Sequence, residues 1–259
     1  MTELRRFFLA LGYFTRIPVP AWIGWAPEEL NRAARYFPLA GLVVALVSAG
    51  VLWPAQMFLP DALAVLLSMA TSLRLTGAFH EDGLADSADG LGGGWQREDV
   101  LRIMKDSRIG TYGAVVLGVA LLTKFVALDA LAAHGWIVLV ALLIAHPLSR
   151  FAALVVMVAL PYVREDESSR ARPVAQGVGL AELWIGALCG LAPLVISVVC
   201  GVLGVGRAGV LLLVAMVVGL WWARLLHRRL GGYTGDCLGA TQQFVELACY
   251  VVLCAHLPA

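Results

Sequence analysis

Charge is what this sequence has least of. Asp, Glu, Lys and Arg make up 14% of its 259 residues, against about 25% in an ordinary soluble domain. The few charges balance to +1, so the basic excess that draws a protein to nucleic acid is missing. The five cysteines, Cys189, Cys200, Cys237, Cys249 and Cys254, show no C-x-x-C spacing. That spacing excludes the usual zinc and disulfide frameworks and reads as buried free thiols. A secretory leader is not expected either. The apolar run Phe7–Phe14 is short, Arg16 and Pro18 follow it, and no small-residue cleavage site appears. What the chain has is apolar surface: 60% of its residues are hydrophobic before glycine is counted. About 45–50% with glycine is ordinary, and a soluble chain of this length could not hide the excess.

Hydrophobic runs of about 20 residues mark membrane spans. Seven are expected, at Phe37–Phe58, Ala62–Phe79, Tyr112–Ala133, Trp136–Val163, Leu180–Leu203, Gly209–Leu226 and Ala240–Leu257. The fourth is long enough to tilt or to break at Pro147. The fold class is therefore all-α, a polytopic transmembrane bundle forming one integral membrane domain over residues 1–259. Arg5 and Arg6 beside Phe7, Phe8 and Leu9 fit an interfacial N-terminal helix or a first helix packed on the bundle. Bases alternate with the spans. Arg5, Arg6, Arg16, Arg32 and Arg35 precede the first. Arg97, Arg102, Lys105 and Arg108 follow the second, Arg164, Arg170 and Arg172 the fourth, and Arg224, Arg228 and Arg229 close the sixth, whereas Arg207 stands alone on the other side. By the positive-inside bias the N-terminus and every polar motif face the cytoplasm, and the C-terminus lies outside.

One stretch breaks the apolar pattern, HEDGLADSADGLGGGWQREDVLRIMKDSRIGTYG from His80 to Gly113. Glu81, Asp82, Asp86 and Asp89 fall within nine residues with no base among them. On a helix, Asp82, Asp86 and Asp89 share one face. Like charges so spaced repel by about 0.2–0.5 kcal/mol per pair even in water, so a positive partner is expected. Hard divalent cations such as Mg²⁺ take oxygen ligands and share them with substrate phosphates. The bland alternative is a solvated acidic loop. Gly83, Gly90, Gly92, Gly93 and Gly94 speak against it, because they permit close approach of backbone to a ligand. So do Lys105, Ser107, Arg108 and Thr111, which suit phosphate oxygens.

Outside the centre, Arg74 lies about two turns before His80 and could face the acids or snorkel to the interface. Arg150 is open in the same way. Lys124 and Asp129 read as a structural pair or an end effect. In GGYTGDCLGATQQF, Thr241 is expected to open a helix whose free N–H groups suit an anion, with Asp236, Gln242 and Gln243 nearby. Glu246, inside the last span, must be protonated, paired or a supporting ligand, since an unpaired buried carboxylate is costly.

The motifs Phe79-His-Glu-Asp-Gly-Leu-Ala-Asp-Ser-Ala-Asp-Gly90 and Met104-Lys-Asp-Ser-Arg-Ile-Gly-Thr-Tyr-Gly113 resemble those of the cobalamin synthase family, the adenosylcobinamide-GDP ribazoletransferases. Weaker echoes are Phe14-Thr-Arg-Ile-Pro-Val-Pro20, Tyr36-Phe-Pro-Leu-Ala-Gly41 and Gly231-Gly-Tyr-Thr-Gly-Asp236. The resemblance implies a bacterial inner-membrane enzyme. The hydroxyl of α-ribazole, or of its 5′-phosphate, attacks the corrinoid-side phosphorus of adenosylcobinamide-GDP and GMP leaves. On that reading Glu81, Asp82, Asp86 and Asp89 are the Mg²⁺ ligands, with Asp106 or Asp236 completing the site. Glu81 departs from the family pattern, where an apolar residue often stands. His80 joins Asp82, Asp86, Asp89 and Asp106 as catalytic candidates, and Lys105 and Arg108 hold the diphosphate with Arg74, Ser107, Thr111 and Asp236 around them. The partners are the activated corrinoid, α-ribazole and membrane lipid, with no nucleic acid; homo-oligomers and other enzymes of the pathway stay open. The CDP-alcohol phosphotransferases are a weaker resemblance, because Asp86 and Ser87 stand where Ala and Arg would complete their D-G-x-x-A-R pattern. A cation-coupled transporter is the rival of another class, and would place its acids near mid-span.

Overall fold

The computed structural model describes residues 2–24, 27–164 and 178–255. Arg170 and Arg172 of the topology reading lie outside the described residues. The described chain is helical, and its one β-type contact is an isolated bridge between Tyr162 and Tyr233. The helices are α1 (Thr2–Phe14), α2 (Pro27–Ala33), α3 (Phe37–Gln56), α4 (Asp61–Thr76), α5 (Phe79–Gly93), α6 (Arg97–Ile103), α7 (Thr111–Ala132), α8 (Ile137–Ala159), α9 (Leu180–Val199), α10 (Val205–Leu230) and α11 (Gly235–Cys254). Six of them are long and apolar enough to cross a membrane; α4 and α5 make a seventh span if that bent pair counts as one. The expected bundle is present.

The outward face of each span is apolar. On α7, Val115, Val119, Leu122 and Val126 are exposed at helical spacing, while Ala120, Lys124, Ala127 and Leu128 on the other side are buried. Such an exposed apolar stripe suits a face turned to lipid. Helix α1, too short to span, buries Leu9, Ala10, Leu11 and Phe14 and contacts α2 and α3.

The second span departs from expectation in a way that shapes the site. Helix α4 stops at Thr76, and the chain turns by 84° into α5. The cause is local: Gly77 (φ 67) and Ala78 (φ 57) are both left-handed, a conformation that costs a non-glycine residue roughly 1–2 kcal/mol. The apolar run continues to Phe79, so hydropathy does not see the bend. The acids are thus neither a loop nor the end of a straight span. They lie on their own helix, set against α11 and α7.

Two further boundaries differ. Helix α8 runs unbroken through Pro147 and ends at Ala159, because Leu160 precedes Pro161 and a residue before proline avoids the helical region. The last helix opens at Gly235 rather than at Thr241. Thr234 caps it, its side chain accepting from the Cys237 N–H at 3.4 Å.

The bend gives a direct test. Gly77 is packed beneath the Arg16 guanidinium, which a Cβ would strike. Gly231 has a similar conformation (φ 75) with open space around it. Gly77→Ala should therefore lower the unfolding temperature in detergent more than Gly231→Ala. Equal losses would show that the Arg16 contact is absent.

Candidate functional site

Helices α5 and α11 cross with almost no side chain between them. A Cβ on Gly83 would stand 2.7 Å from the Asp236 carbonyl oxygen, and one on Gly239 would meet the His80 carbonyl at 3.1 Å. Small residues permit this approach, as they do at other membrane helix contacts. Ser87, one turn beyond Gly83 on α5, lies near the Cys237 thiol. The crossing brings Asp82 and Asp86 of α5 beside Asp236 in the first turn of α11, near enough for the charges of Asp236 and Asp82 to act on the Asp86 carboxylate. Asp82 is exposed and the other two are half-buried, so the cluster opens outward.

One cation answers them. Arg164 Nη2 lies 3.2 Å from Asp236 Oδ2 and donates to the Met104 carbonyl at 3.3 Å. The chain after α8 positions it. The Val163 N–H donates to the Tyr233 carbonyl and the Tyr233 N–H to the Pro161 carbonyl, both at 3.0 Å. Sequence reasoning missed Arg164 as a site residue. It stands among three bases of a polar loop, and nothing local marks which of them returns to the acids.

The remaining predicted residues divide. Asp89 is not open to a ligand: its two oxygens accept the Gly110 N–H at 2.7 Å and the Gly113 N–H at 2.8 Å. It caps α7, a carboxylate held at the positive end of a helix. Glu81 is turned into the bundle, where Gln243 Nε2 donates to it at 2.9 Å. His80 is buried on the far side of α5, stacked on Phe14 at 5.6 Å, and it lines a cavity of about 30 Å³ with Arg150. Lys105, Asp106, Ser107, Arg108 and Thr111 are exposed on the segment leading into α7. Asp106 does not join the acids. Arg108 Nη2 donates to it at 2.7 Å, and this hydrogen bonding pulls its carboxyl down to about 2. Arg74 is exposed beside Arg16 and is not among the charges acting on the acids.

Behind the crossing lies a buried polar network. Lys124 Nζ sits 2.9 Å from Glu246 Oε1 and 3.7 Å from Glu81 Oε1, and it donates to Gln243 Oε1 at 3.2 Å. Gln242 bridges Ser149, Gln243 and Glu246. Tyr250 Oη donates to Glu246 at 3.3 Å, and Arg150 Nη1 to the His146 carbonyl at 3.0 Å. Lys124 therefore pairs with Glu246 and Glu81 rather than with Asp129, and Glu246 is paired. The two glutamates balance Lys124 and Arg150. At the other end of α5, Arg229 Nη2 donates to the carbonyls of Gly94 at 2.6 Å and Leu91 at 3.3 Å, which suits a helix C-terminus.

Among the described residues no three His, Cys, Asp or Glu side chains are placed to hold a metal ion as they stand. The donor chemistry of Asp82, Asp86 and Asp236 nevertheless suits a hard divalent cation: three carboxylates with one arginine between them.

The network predicts a stability pattern. Lys124→Met strands two buried carboxylates, and breaking a buried pair costs about 3–5 kcal/mol. Replacing Glu246 by Gln as well should recover part of that loss. A double-mutant cycle measured by unfolding in detergent checks it; strictly additive losses would mean that Lys124 and Glu246 do not interact.

Residues 6–254 match the family described as Cobalamin-5-phosphate synthase. An adenosylcobinamide-GDP ribazoletransferase of Shewanella sp. (strain ANA-3) is 48% identical over 252 residues, spanning 97% of this chain and 94% of its own. One of Shewanella frigidimarina (strain NCIMB 400) is 46% identical over 261 residues, 98% of this chain and 96% of its own. No solved structure matches. With nearly its whole length matched, this chain belongs to the Cobalamin-5-phosphate synthase family.

Proposed function

We propose that this protein is the membrane transferase that joins adenosylcobinamide-GDP to α-ribazole, or to its 5′-phosphate, with release of GMP. The relatives carry that name. The observation that carries the reading here is the trio Asp82, Asp86 and Asp236 with Arg164, beside the basic segment Lys105–Arg108. The family match does not favour the CDP-alcohol phosphotransferase or transporter alternatives.

Phosphoryl transfer needs positioned reactants and charge neutralisation more than covalent help from the protein. Lys105, Arg108 and Arg164 supply cations for the diphosphate, with Ser107 and Thr111 as hydroxyl donors. Arg108 reaches the substrate by leaving Asp106, which holds it ready when the site is empty. The attacking hydroxyl oxygen forms the new bond to the corrinoid-side phosphorus. The bond from that phosphorus to the GMP oxygen breaks, and the hydroxyl proton passes to a carboxylate of the trio. Asp106 is exposed and does not join the trio, so it does not take this proton. Asp82, Asp86 and Asp236 would hold Mg²⁺, which when bound neutralises the charge on the transferring group. His80 and Glu81, turned away from the trio, support α5 rather than touch substrate, and Asp89 orders the start of α7.

The assignments separate by experiment. Asp82→Asn, Asp86→Asn and Asp236→Asn should nearly abolish turnover; thermal stability should hold or rise for Asp82→Asn and Asp86→Asn, which remove a repelling charge, whereas Asp236→Asn also gives up its ion pair with Arg164. Asp89→Ala should lower stability, by about 0.5–2 kcal/mol for a lost cap. Activity against Mg²⁺ concentration, read beside unfolding temperature, decides. Wild-type turnover at limiting Mg²⁺ in all three trio variants would remove the trio from the reaction.

The charge bias of the loops supports a cytoplasmic site. With the native cysteines removed, Ser107→Cys should resist an impermeant thiol reagent in intact cells and react in inverted vesicles. Labelling from outside would reverse the orientation.

A further inference from the structure

Two arginines from separate segments converge on a groove that the acidic site does not use. Arg74 stands on the last turn of α4, and Arg16 in the extended chain after α1; both are exposed. They line a groove of about 520 Å³ whose other walls include Ile17, Leu67, Ala70 and Leu75, and among the described residues no Asp or Glu lines it. The fold holds the Arg16 backbone in place. The Arg16 N–H donates to the Leu75 carbonyl at 2.7 Å, and its guanidinium lies over left-handed Gly77, where a side chain would collide with it. Two like charges held over one space repel unless an anion sits between them.

Guanidinium groups present planar forks of N–H donors that match phosphate oxygens. The apolar wall adds a second requirement. Ala70 and Leu67 lie one and two turns before Arg74, so the groove runs about 10 Å along α4 from the charges toward the middle of the span. A ligand that satisfies both ends carries an anionic phosphate at one end and a hydrocarbon chain at the other. We propose that this groove binds the phosphodiester head group of an anionic membrane lipid, with its chain along Leu67 and Ala70. A nucleoside diphosphate shares the phosphate but has nothing to place on the apolar wall. Clusters of bases near span ends bind anionic head groups in this way. The proposal stands independently of the reaction above.

The test uses the full chain in nanodiscs of phosphatidylcholine with graded phosphatidylglycerol. Native mass spectrometry counts the lipids retained, and KM for the diphosphate substrate is measured on the same samples. Wild type should retain phosphatidylglycerol in preference to phosphatidylcholine. Arg16→Gln with Arg74→Gln should cut that preference about tenfold, as expected for lost charge-assisted contacts, and Arg16→Lys with Arg74→Lys should keep most of it. The lysine pair, with its unfolding temperature, separates loss of binding from loss of fold. If the glutamine pair keeps the lipid preference, the proposal is overturned. A rise in KM alongside a retained preference would reassign the groove to the soluble substrate.

Discussion

The site depends on the meeting of α5 and α11 at Gly83 and Gly239, where backbone faces backbone. Carboxylates repel, and nothing in their own chemistry gathers Asp82, Asp86 and Asp236. They are held together because the helices that carry them are locked at this crossing. The bend at Gly77 and Ala78 aims α5 into that contact. The loop through Tyr233 ends in the Thr234 cap, which starts α11 early enough to put Asp236 at the crossing. Without the bend or the cap, the same acids would lie on separate surfaces.

Holding like charges together requires compensation elsewhere, and the buried network supplies it. Glu81 lies next to Asp82 in sequence but points the other way, into Lys124 and Gln243. Lys124 then reaches Glu246 on α11, so one lysine on α7 ties together the two helices that cross. Buried ion pairs of this kind add little net stability but strongly penalise any arrangement that breaks them. That property suits a helix that must keep register against repulsion. Arg229 at one end of α5 and the Asp89 cap of α7 complete its attachment. The face that carries Asp82 and Asp86 lies outside this network and is the one proposed to meet cations and substrate.

Much of this was legible in the sequence. The bundle follows from composition and run length, and the acidic stretch stands out because charge is scarce elsewhere. The i, i+4, i+7 spacing correctly placed the acids on a helix, but it also drew in Asp89. Helical spacing cannot tell a side chain facing a ligand from one capping a neighbouring helix 21 residues away. Glu81 and Asp82 are adjacent, so proximity in sequence grouped them while the helix turn sends them to different partners. Arg164 was hidden for the reverse reason: its partner Asp236 is distant in sequence. The bend was invisible to hydropathy because Gly77 and Ala78 are apolar, and only their backbone conformation marks them.

The crossing itself can be measured without reference to activity. Gly83 approaches the Asp236 backbone and Ser87 follows it by one turn near Cys237, so in a chain whose other four native cysteines are removed, Ser87→Cys should form an intramolecular disulfide with Cys237 on mild oxidation in the membrane. Disulfide formation requires Cα atoms within about 7 Å. Rapid, near-complete cross-linking of the folded protein is the predicted result. Its absence in folded protein, or its appearance only after denaturation, would contradict the helix contact from which the proposed site is built.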